Sequence, residues 1–340
     1  MTELKTTIPK GSLVLVTGAT SYVASHIIKQ FLERGYKVRS TVRNISDASW
    51  VATEAFKSYA DTGDFELVEV ADFGAEHAFD GAVKRVSAIV HVATVIGFSP
   101  DPNEVIPLTV AVATSIMLAA LKEPSVKQFV YTSSCAAAAY PESEKIHVDQ
   151  DSWNEKAVEL AWTPPPYGPF QGFVVYFASK VAAEKAVWKI VEEKKPHFTT
   201  NVVSPGTVLG EPIHPNYVRS TGSWVPQLFR GETANLGLPA TIVVDVKDIA
   251  LVHVAAVLDP EVKNARLQVW GRHASWNDLL AILRKLRPQH QFVVDFPDAP
   301  YLGLSTDETK VIALLKKWGN QDGWRPLRET LAENIIFEKD

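Results

Sequence analysis

The chain is nearly devoid of cysteine. With a single thiol, Cys135, no intrachain disulfide can form, which fits a reducing, cytoplasmic setting. It also lacks an excess of positive charge. The 34 Lys and Arg residues are outnumbered by 39 Asp and Glu, a net charge of −5, so no basic face is available for nucleic acid. The opening stretch, "MTELKTTIPKG", has no apolar h-region, so no secretory signal is expected. The longest apolar run, Val105 to Leu121, is broken by Pro107, Thr109, Thr114 and Ser115 and reads as a buried helix rather than a membrane span. Internal repeats and low-complexity linkers are absent.

What remains is an ordinary globular composition, 46% hydrophobic and 21% charged over 340 residues. That length holds a sizeable core without help from disulfide or metal, and no metal site is expected. Short apolar runs alternate with helical patterns. "SLVLVTG", "YKVRSTVR", "FELVEVAD", "AIVHVAT", "QFVYTSS", "FTTNVVSP" and "RLQVW" read as strands. "SYVASHIIKQFLERG" reads as a helix, with Val23, Ile27 and Phe31 at four-residue spacing. Near-continuous Val, Ile and Leu strands between helices predict an α/β fold, a doubly wound parallel Rossmann-type sheet covered on both faces. Beyond Pro205 the rhythm loosens into loop formers and aromatics. The expected division is a nucleotide-binding part over 1–204 with some of 241–272, and a smaller C-terminal substrate lobe over 205–240 and 273–340.

The stretch "LVTGATSYVASH" has the layout of a phosphate-binding turn, Gly18-x-x-Ser21-x-x-Ala24. Glycines there let backbone approach a pyrophosphate, and the helix N-terminus offers free N–H groups and positive potential. Ser21 occupies the place of the second glycine. Its cost is small if its φ is negative, and about 1–2 kcal/mol if φ must be positive. The alternative is a plain strand-to-helix turn without a ligand. The second strand, "VRSTVRN", offers Arg39 and Arg43 where NAD-binding units carry an acid for the ribose hydroxyls. A guanidinium pairs with a 2′-phosphate that a carboxylate would repel, so the pattern reads as NADPH, with Arg43 as the contact. Arg39 reads equally well as a solvated strand residue. Asp72 is placed to meet the adenine edge, or else to cap a helix.

"VVYFASK" sets Tyr176 and Lys180 four residues apart, on one helical face. Tyr176 is the only one of nine tyrosines with a lysine at that spacing. An adjacent ammonium is expected to lower the phenol's pKa, and the lysine can hold a ribose hydroxyl. "FVYTSSC" then puts Thr132, Ser133 and Ser134 at a strand's C-terminal end, the side on which open α/β sheets bind ligands. A serine hydroxyl there can hold a substrate carbonyl. Packing for Tyr176, solvation for Lys180 and turn chemistry for the serines are the competing readings.

Together with "HVAT" (91–94), "VDQDSW" (148–153), "NVVSPGTVLG" (201–210) and "VVDVKDIALVH" (243–253), these segments make nearly the whole chain resemble the extended short-chain dehydrogenases/reductases. The resemblance is greatest to the branch of dihydroflavonol reductases and microbial NADPH-dependent aldehyde or carbonyl reductases. It implies a Ser134–Tyr176–Lys180 triad, with Tyr176 as proton donor. It also implies cofactor contacts at Gly18, Thr20, Ser21, Tyr22, Val23, Arg43, Asp72, Ala93, Thr94 and Lys180. Pro205, Gly206, Thr207 and Val208 would lie at the nicotinamide amide. Two departures stand out: Ser21 for the family glycine, and a helix "PLTVAVATSIML" without the family's glycine and asparagine.

The function expected is reduction of an aldehyde or ketone, with Phe98, Tyr140, Trp224 and Phe229 in segments that would line a pocket for an apolar, aromatic or ester-bearing substrate. "TPPPYGPF" would serve as its wall or lid. The partner expected is therefore a small-molecule carbonyl compound, with neither nucleic acid nor membrane. Two alternatives share the fold: a sugar-nucleotide epimerase or dehydratase that retains its cofactor, and a non-catalytic NADPH sensor.

Overall fold

Seven parallel strands form the spine of the molecule, a computed structural model that describes residues 4–94, 97–233 and 240–339. In chain order the elements are β1 (Leu13–Thr17), α1 (Tyr22–Glu33), β2 (Lys37–Val42), α2 (Lys57–Asp61), β3 (Phe65–Glu69), β4 (Ala88–His91), α3 (Pro102–Leu121) and β5 (Gln128–Thr132). There follow β6 (Ile146–Val148), α4 (Glu155–Ala161), α5 (Gln171–Lys194), β7 (Thr199–Pro205), β8 (Thr207–Leu209), α6 (Trp224–Phe229), β9 (Ala240–Asp245) and α7 (Val246–Leu258). The chain ends with β10 (Arg266–Val269), β11 (Arg272–Ser275), α8 (Trp276–Leu286), β12 (Leu304–Thr306), α9 (Thr309–Gly319) and α10 (Leu327–Asn334). The main sheet runs β10-β7-β5-β4-β1-β2-β3. Every pairing in it is parallel, so this is a doubly wound Rossmann-type sheet. Its strands correspond to the seven apolar runs of the sequence.

One face of the sheet is covered by α1 and α7. The α1 stripe of Ala24, Ile27, Ile28, Phe31 and Leu32 recurs every three or four residues and buries completely against β1 and β2. The opposite face is covered by α3 and α5, with Ile116, Met117, Ala120, Ala183 and Val187 in its core. By length and composition α3 is apolar enough to cross a membrane. In this fold it packs along α5 and the sheet, as expected of a core helix. It starts at Asp101, whose side chain accepts from the Asn103 N–H at 2.9 Å, with Pro102 in the first turn where no N–H is needed.

Two small sheets extend from the crevice end: β11-β9-β8, and the pair β12-β6. Beside them a separate apolar cluster forms from α6, α8 and α10, around Leu228, Phe229, Trp276, Leu279 and Leu331. Strand register fixes the geometry of the crevice. Thr17 pairs with Thr41, His91 with Tyr131, and Thr132 with Val203, so the C-terminal ends of the central strands open along one edge.

Candidate functional site

The turn after β1 opens into a cleft of about 540 Å³ at that edge, lined by Gly18, Thr20 and Ser21, by Thr41 to Arg43, by Ala71 to Phe73 and by Val92 to Thr94. Gly18 has φ +80°, and a Cβ added to it would sit 3.3 Å from that of Ala93, so this position needs glycine twice over. Ser21 has φ −79° and ψ 140°, an extended N-cap conformation that any residue adopts. The serine therefore adds no backbone strain. Its hydroxyl makes no cap bond, which leaves it available at the mouth of α1.

Hydroxyls from neighbouring strands brace the turn. The Gly18 N–H donates to Thr41 Oγ1 at 3.1 Å, and Thr17 Oγ1 accepts from the Val92 and Ala93 N–H groups at 3.0 Å each. Tyr22 and Val23 face the interior. The Tyr22 hydroxyl donates to the Gly210 carbonyl at 2.8 Å, and Val23 packs on the core. Contacts to the cleft at these two positions are therefore left to their backbone N–H groups. Leu108 and Val112, one turn apart on α3, complete the apolar wall.

The two arginines of β2 separate cleanly. Arg39 is not a solvated residue: it binds Glu66 at 2.7 Å and donates to the Ala82 and Lys84 carbonyls at 2.9 Å. Arg43 is exposed at the cleft rim, and among the described residues its guanidinium has no partner. Asp72 lines the same cleft, while its Oδ1 accepts from the Gly74 N–H at 2.9 Å, so it also caps its own turn. A glycine without room for a Cβ, unpaired N–H groups at a helix mouth and a free guanidinium at the rim suit a phosphorylated dinucleotide.

Ser134 and Tyr176 meet where β5 ends against α5, with Lys180 one helical turn further on. Ser134 Oγ accepts from the Ala136 N–H at 3.2 Å, and its own proton can be donated towards the Tyr176 phenol or the Cys135 thiol beside it. The phenol keeps partial access to solvent, yet burial pushes its pKa up to about 12, aided by the Cys135 thiol and opposed by Ser134. The expected lowering by Lys180 is absent. The ammonium faces elsewhere, donating to the Thr132 carbonyl at 3.1 Å and lying 5.2 Å from the centre of the Tyr131 ring. Burial lowers Lys180 to about 8, against an opposing pull from the Glu184 carboxylate. Thr132 and Ser133 are fixed in turn: Thr132 Oγ1 meets His253 Nε2 at 2.8 Å and Ser133 donates to Glu184 Oε2 at 2.5 Å. Since His253 Nδ1 must donate to the Ile249 carbonyl, Nε2 accepts from Thr132 and the ring is neutral.

The four aromatics of the expected pocket fare unequally. Phe98 is 51% exposed, with its ring 5.7 Å from Tyr176 and 4.8 Å from Phe173. Gly172 makes that approach possible, because a Cβ there would meet the Phe98 carbonyl at 2.2 Å. Tyr140 stands edge-on to Phe177 at 6.1 Å, one ring further from Tyr176. Trp224 belongs to the lobe, 5.9 Å from Trp276. Phe229 is a correction: only 1% exposed, it stacks on His290 at 3.9 Å and is lobe core. Pro205 ends β7, Gly206 links it to β8, and Thr207 and Val208 open β8. Gly206 has no room for a Cβ against the Ile242 and Trp270 carbonyls, and the Thr207 and Thr241 hydroxyls are bonded to each other. The segment at 162–170 that holds "TPPPYGPF" is exposed throughout.

The profile of the NAD dependent epimerase/dehydratase family matches residues 14–265. Aldehyde reductase 2 of Sporidiobolus salmonicolor is 37% identical over 336 residues, 97% of each chain. Ketoreductase adrE of Penicillium roqueforti is also 37% identical, over 97% of this chain and 98% of its own. A yeast methylglyoxal/isovaleraldehyde reductase, Gre2, crystallised with NADPH, superposes with a TM-score of 0.79 at 25% identity, over 96% of this chain and 99% of its own.

Proposed function

This chain belongs to the NAD dependent epimerase/dehydratase family, and from that premise we propose that it is a cytoplasmic NADPH-dependent reductase of apolar, aromatic or ester-bearing aldehydes and ketones. One observation carries the reading: the Ser134 hydroxyl and a protonated Tyr176 face each other past the C-terminal end of β5, on the same strand-end edge that opens into the phosphate-suited cleft. The turn at Gly18 to Ser21, the N–H groups of Tyr22 and Val23, and Ala93 and Thr94 hold the dinucleotide, with Arg43 on the 2′-phosphate and Asp72 towards the adenine. Pro205 to Val208 lie towards the nicotinamide. When bound, NADPH supplies the hydride. Ser134 and Tyr176 hydrogen-bond the carbonyl oxygen and orient it, and Tyr176 gives its proton to that oxygen as negative charge develops there. Its raised pKa keeps the proton on the phenol across the neutral range. Phe98 and Tyr140 present aromatic surface to the substrate. A panel of aldehydes, ketones and ketoesters, each followed by NADPH and by NADH consumption, tests the reading. No turnover of any member overturns it.

The cofactor-retaining sugar-nucleotide reading needs an anion site in the lobe, and the arginines that would build one are engaged. Arg230 is bound to Glu232 at 2.9 Å and to Glu338 at 2.7 Å, and Arg219 donates to the Asn216 carbonyl at 2.7 Å. Release of NADP⁺ with each turnover separates the two. The relatives' names, Aldehyde reductase 2 and Ketoreductase adrE, also lie on the side of carbonyl reduction.

The Lys180 ammonium makes a pH prediction. A lysine lowered to about 8 carries its charge below that pH and loses it above. The charged ammonium is the form that holds a cofactor ribose hydroxyl, so the rate of carbonyl reduction, as kcat/KM, declines as pH rises through about 8. Because the Glu184 carboxylate favours the charged form, Glu184→Gln moves that limb to lower pH. A profile flat to pH 10, the range of an ordinary lysine (about 10.4), removes Lys180 from the chemistry.

A further inference from the structure

The segment that leads from β8 into the lobe is pinned to the back of the phosphate turn. Tyr22 reaches Gly210, His26 Nε2 meets the Glu211 carbonyl at 2.7 Å, and Gly222 lies against the Tyr22 ring, where a Cβ would be 2.9 Å from two ring carbons. The fourth contact enters the turn itself. Tyr217 is fully buried, and its hydroxyl donates to the Ala19 carbonyl at 3.0 Å, across 198 residues of chain. Burial holds the phenol protonated, so it is always a donor there.

The Ala19 carbonyl and the Thr20 N–H belong to one planar trans peptide and point in opposite directions. Drawing the carbonyl towards Tyr217 turns the Thr20 N–H away from the interior, towards the cleft that Thr20 lines. Its neighbours are spoken for: the Ala19 N–H donates to the Thr41 carbonyl and the Ser21 N–H to the Gly18 carbonyl. Among the described residues the Thr20 N–H has no partner. A buried hydroxyl from the lobe thus presets the one backbone N–H of Gly18 to Ser21 that has no partner among the described residues.

We propose that Tyr217 is a positioning residue for cofactor binding, holding the Ala19–Thr20 peptide so that its N–H meets a phosphate of the dinucleotide pyrophosphate. The inference rests on the reading of the cleft as the dinucleotide site. The orientation of the Ala19–Thr20 peptide is thus set from outside the turn, by a hydroxyl of the segment that follows β8. The Tyr217 ring is held in turn by an edge contact with Trp50 at 4.8 Å, in the segment that follows Arg43.

The test is Tyr217→Phe, with NADPH titrated by its fluorescence and 2′-AMP, which carries the 2′-phosphate but no pyrophosphate, measured by displacement. With the peptide no longer held for the phosphate, the NADPH dissociation constant rises roughly fivefold to tenfold, which corresponds to about 1–1.4 kcal/mol. The affinity for 2′-AMP and kcat at saturating NADPH stay unchanged, a separation that general loosening of the fold would not produce. An unchanged NADPH constant in a variant that melts cooperatively overturns the inference alone. Equal weakening of both ligands also overturns it, because the whole adenosine site would then have moved. Failure of the unsubstituted protein to bind NADPH sinks the reading of the cleft instead. Should the phenylalanine variant not fold, Tyr217→Met, which also lacks the hydroxyl, takes its place with the same outcomes.

Discussion

Replacing Tyr176 by phenylalanine lowers kcat for carbonyl reduction by about 10²–10⁴-fold while NADPH binding holds. The size of the loss follows from where the hydroxyl sits. Its ring is clasped by Phe98 at 5.7 Å and Phe177 at 6.0 Å, so the phenylalanine side chain fills the same space and the aromatic packing survives. What disappears is one proton donor facing Ser134 at the end of β5. Ser134 keeps its bond from the Ala136 N–H and can still orient the carbonyl oxygen, so substrate binding weakens far less than turnover. Lys180 is tied to the Thr132 carbonyl rather than to the phenol, so its position does not depend on the hydroxyl. Steady-state rates with a good aldehyde, together with an NADPH titration, check this. Turnover within a few-fold of the parent would mean that another group protonates the alkoxide.

The lysine's orientation marks where sequence reasoning reached its limit. Spacing alone brings Tyr176 and Lys180 to one helical face, and the structure keeps them there. Spacing cannot report burial. Packing around the phenol outweighs any neighbouring charge and leaves it a weaker acid than free tyrosine. The central strands were legible for a related reason. Buried on both faces, they read as unbroken apolar runs such as "LVLVT" and "AIVH". Strands β6, β8 and β12, three residues each, are too short to show a period. Helix α7 shows none because 12 of its 13 residues are buried. Phe229 was misplaced because an aromatic among loop formers resembles a pocket wall, whereas α6 turns it into the lobe. The braces were invisible for want of any local signal. Thr41 meets Gly18 from 23 residues away, Glu184 meets Ser133 from 51, and Tyr217 meets Ala19 from 198.

Changing Arg43 to aspartate is expected to reverse cofactor preference. The residue leaves the end of β2 exposed and unpartnered among the described residues. The loop beyond it is held by its own bonds: Asn44 Oδ1 accepts from the Ser46 N–H at 2.8 Å, and Glu69 accepts from the Ile45 N–H at 2.9 Å. The substitution therefore alters charge at the rim without disturbing the backbone that presents it. A guanidinium–phosphate pair contributes about 1.5–3 kcal/mol, and a carboxylate in its place adds repulsion. Together these lower kcat/KM with NADPH by about 10²–10³-fold. NADH has no 2′-phosphate to lose, and its free ribose hydroxyls gain an acceptor, so its kcat/KM holds or rises. The same change at Arg39 has a different signature. That guanidinium ties β2 to Glu66 and to the carbonyls of Ala82 and Lys84, so Arg39→Asp lowers the melting temperature and leaves the ratio of NADPH to NADH activity where it was. A ratio that moves with Arg39 and not with Arg43 would place the 2′-phosphate elsewhere on the strand, and with it the adenosine end of the cleft.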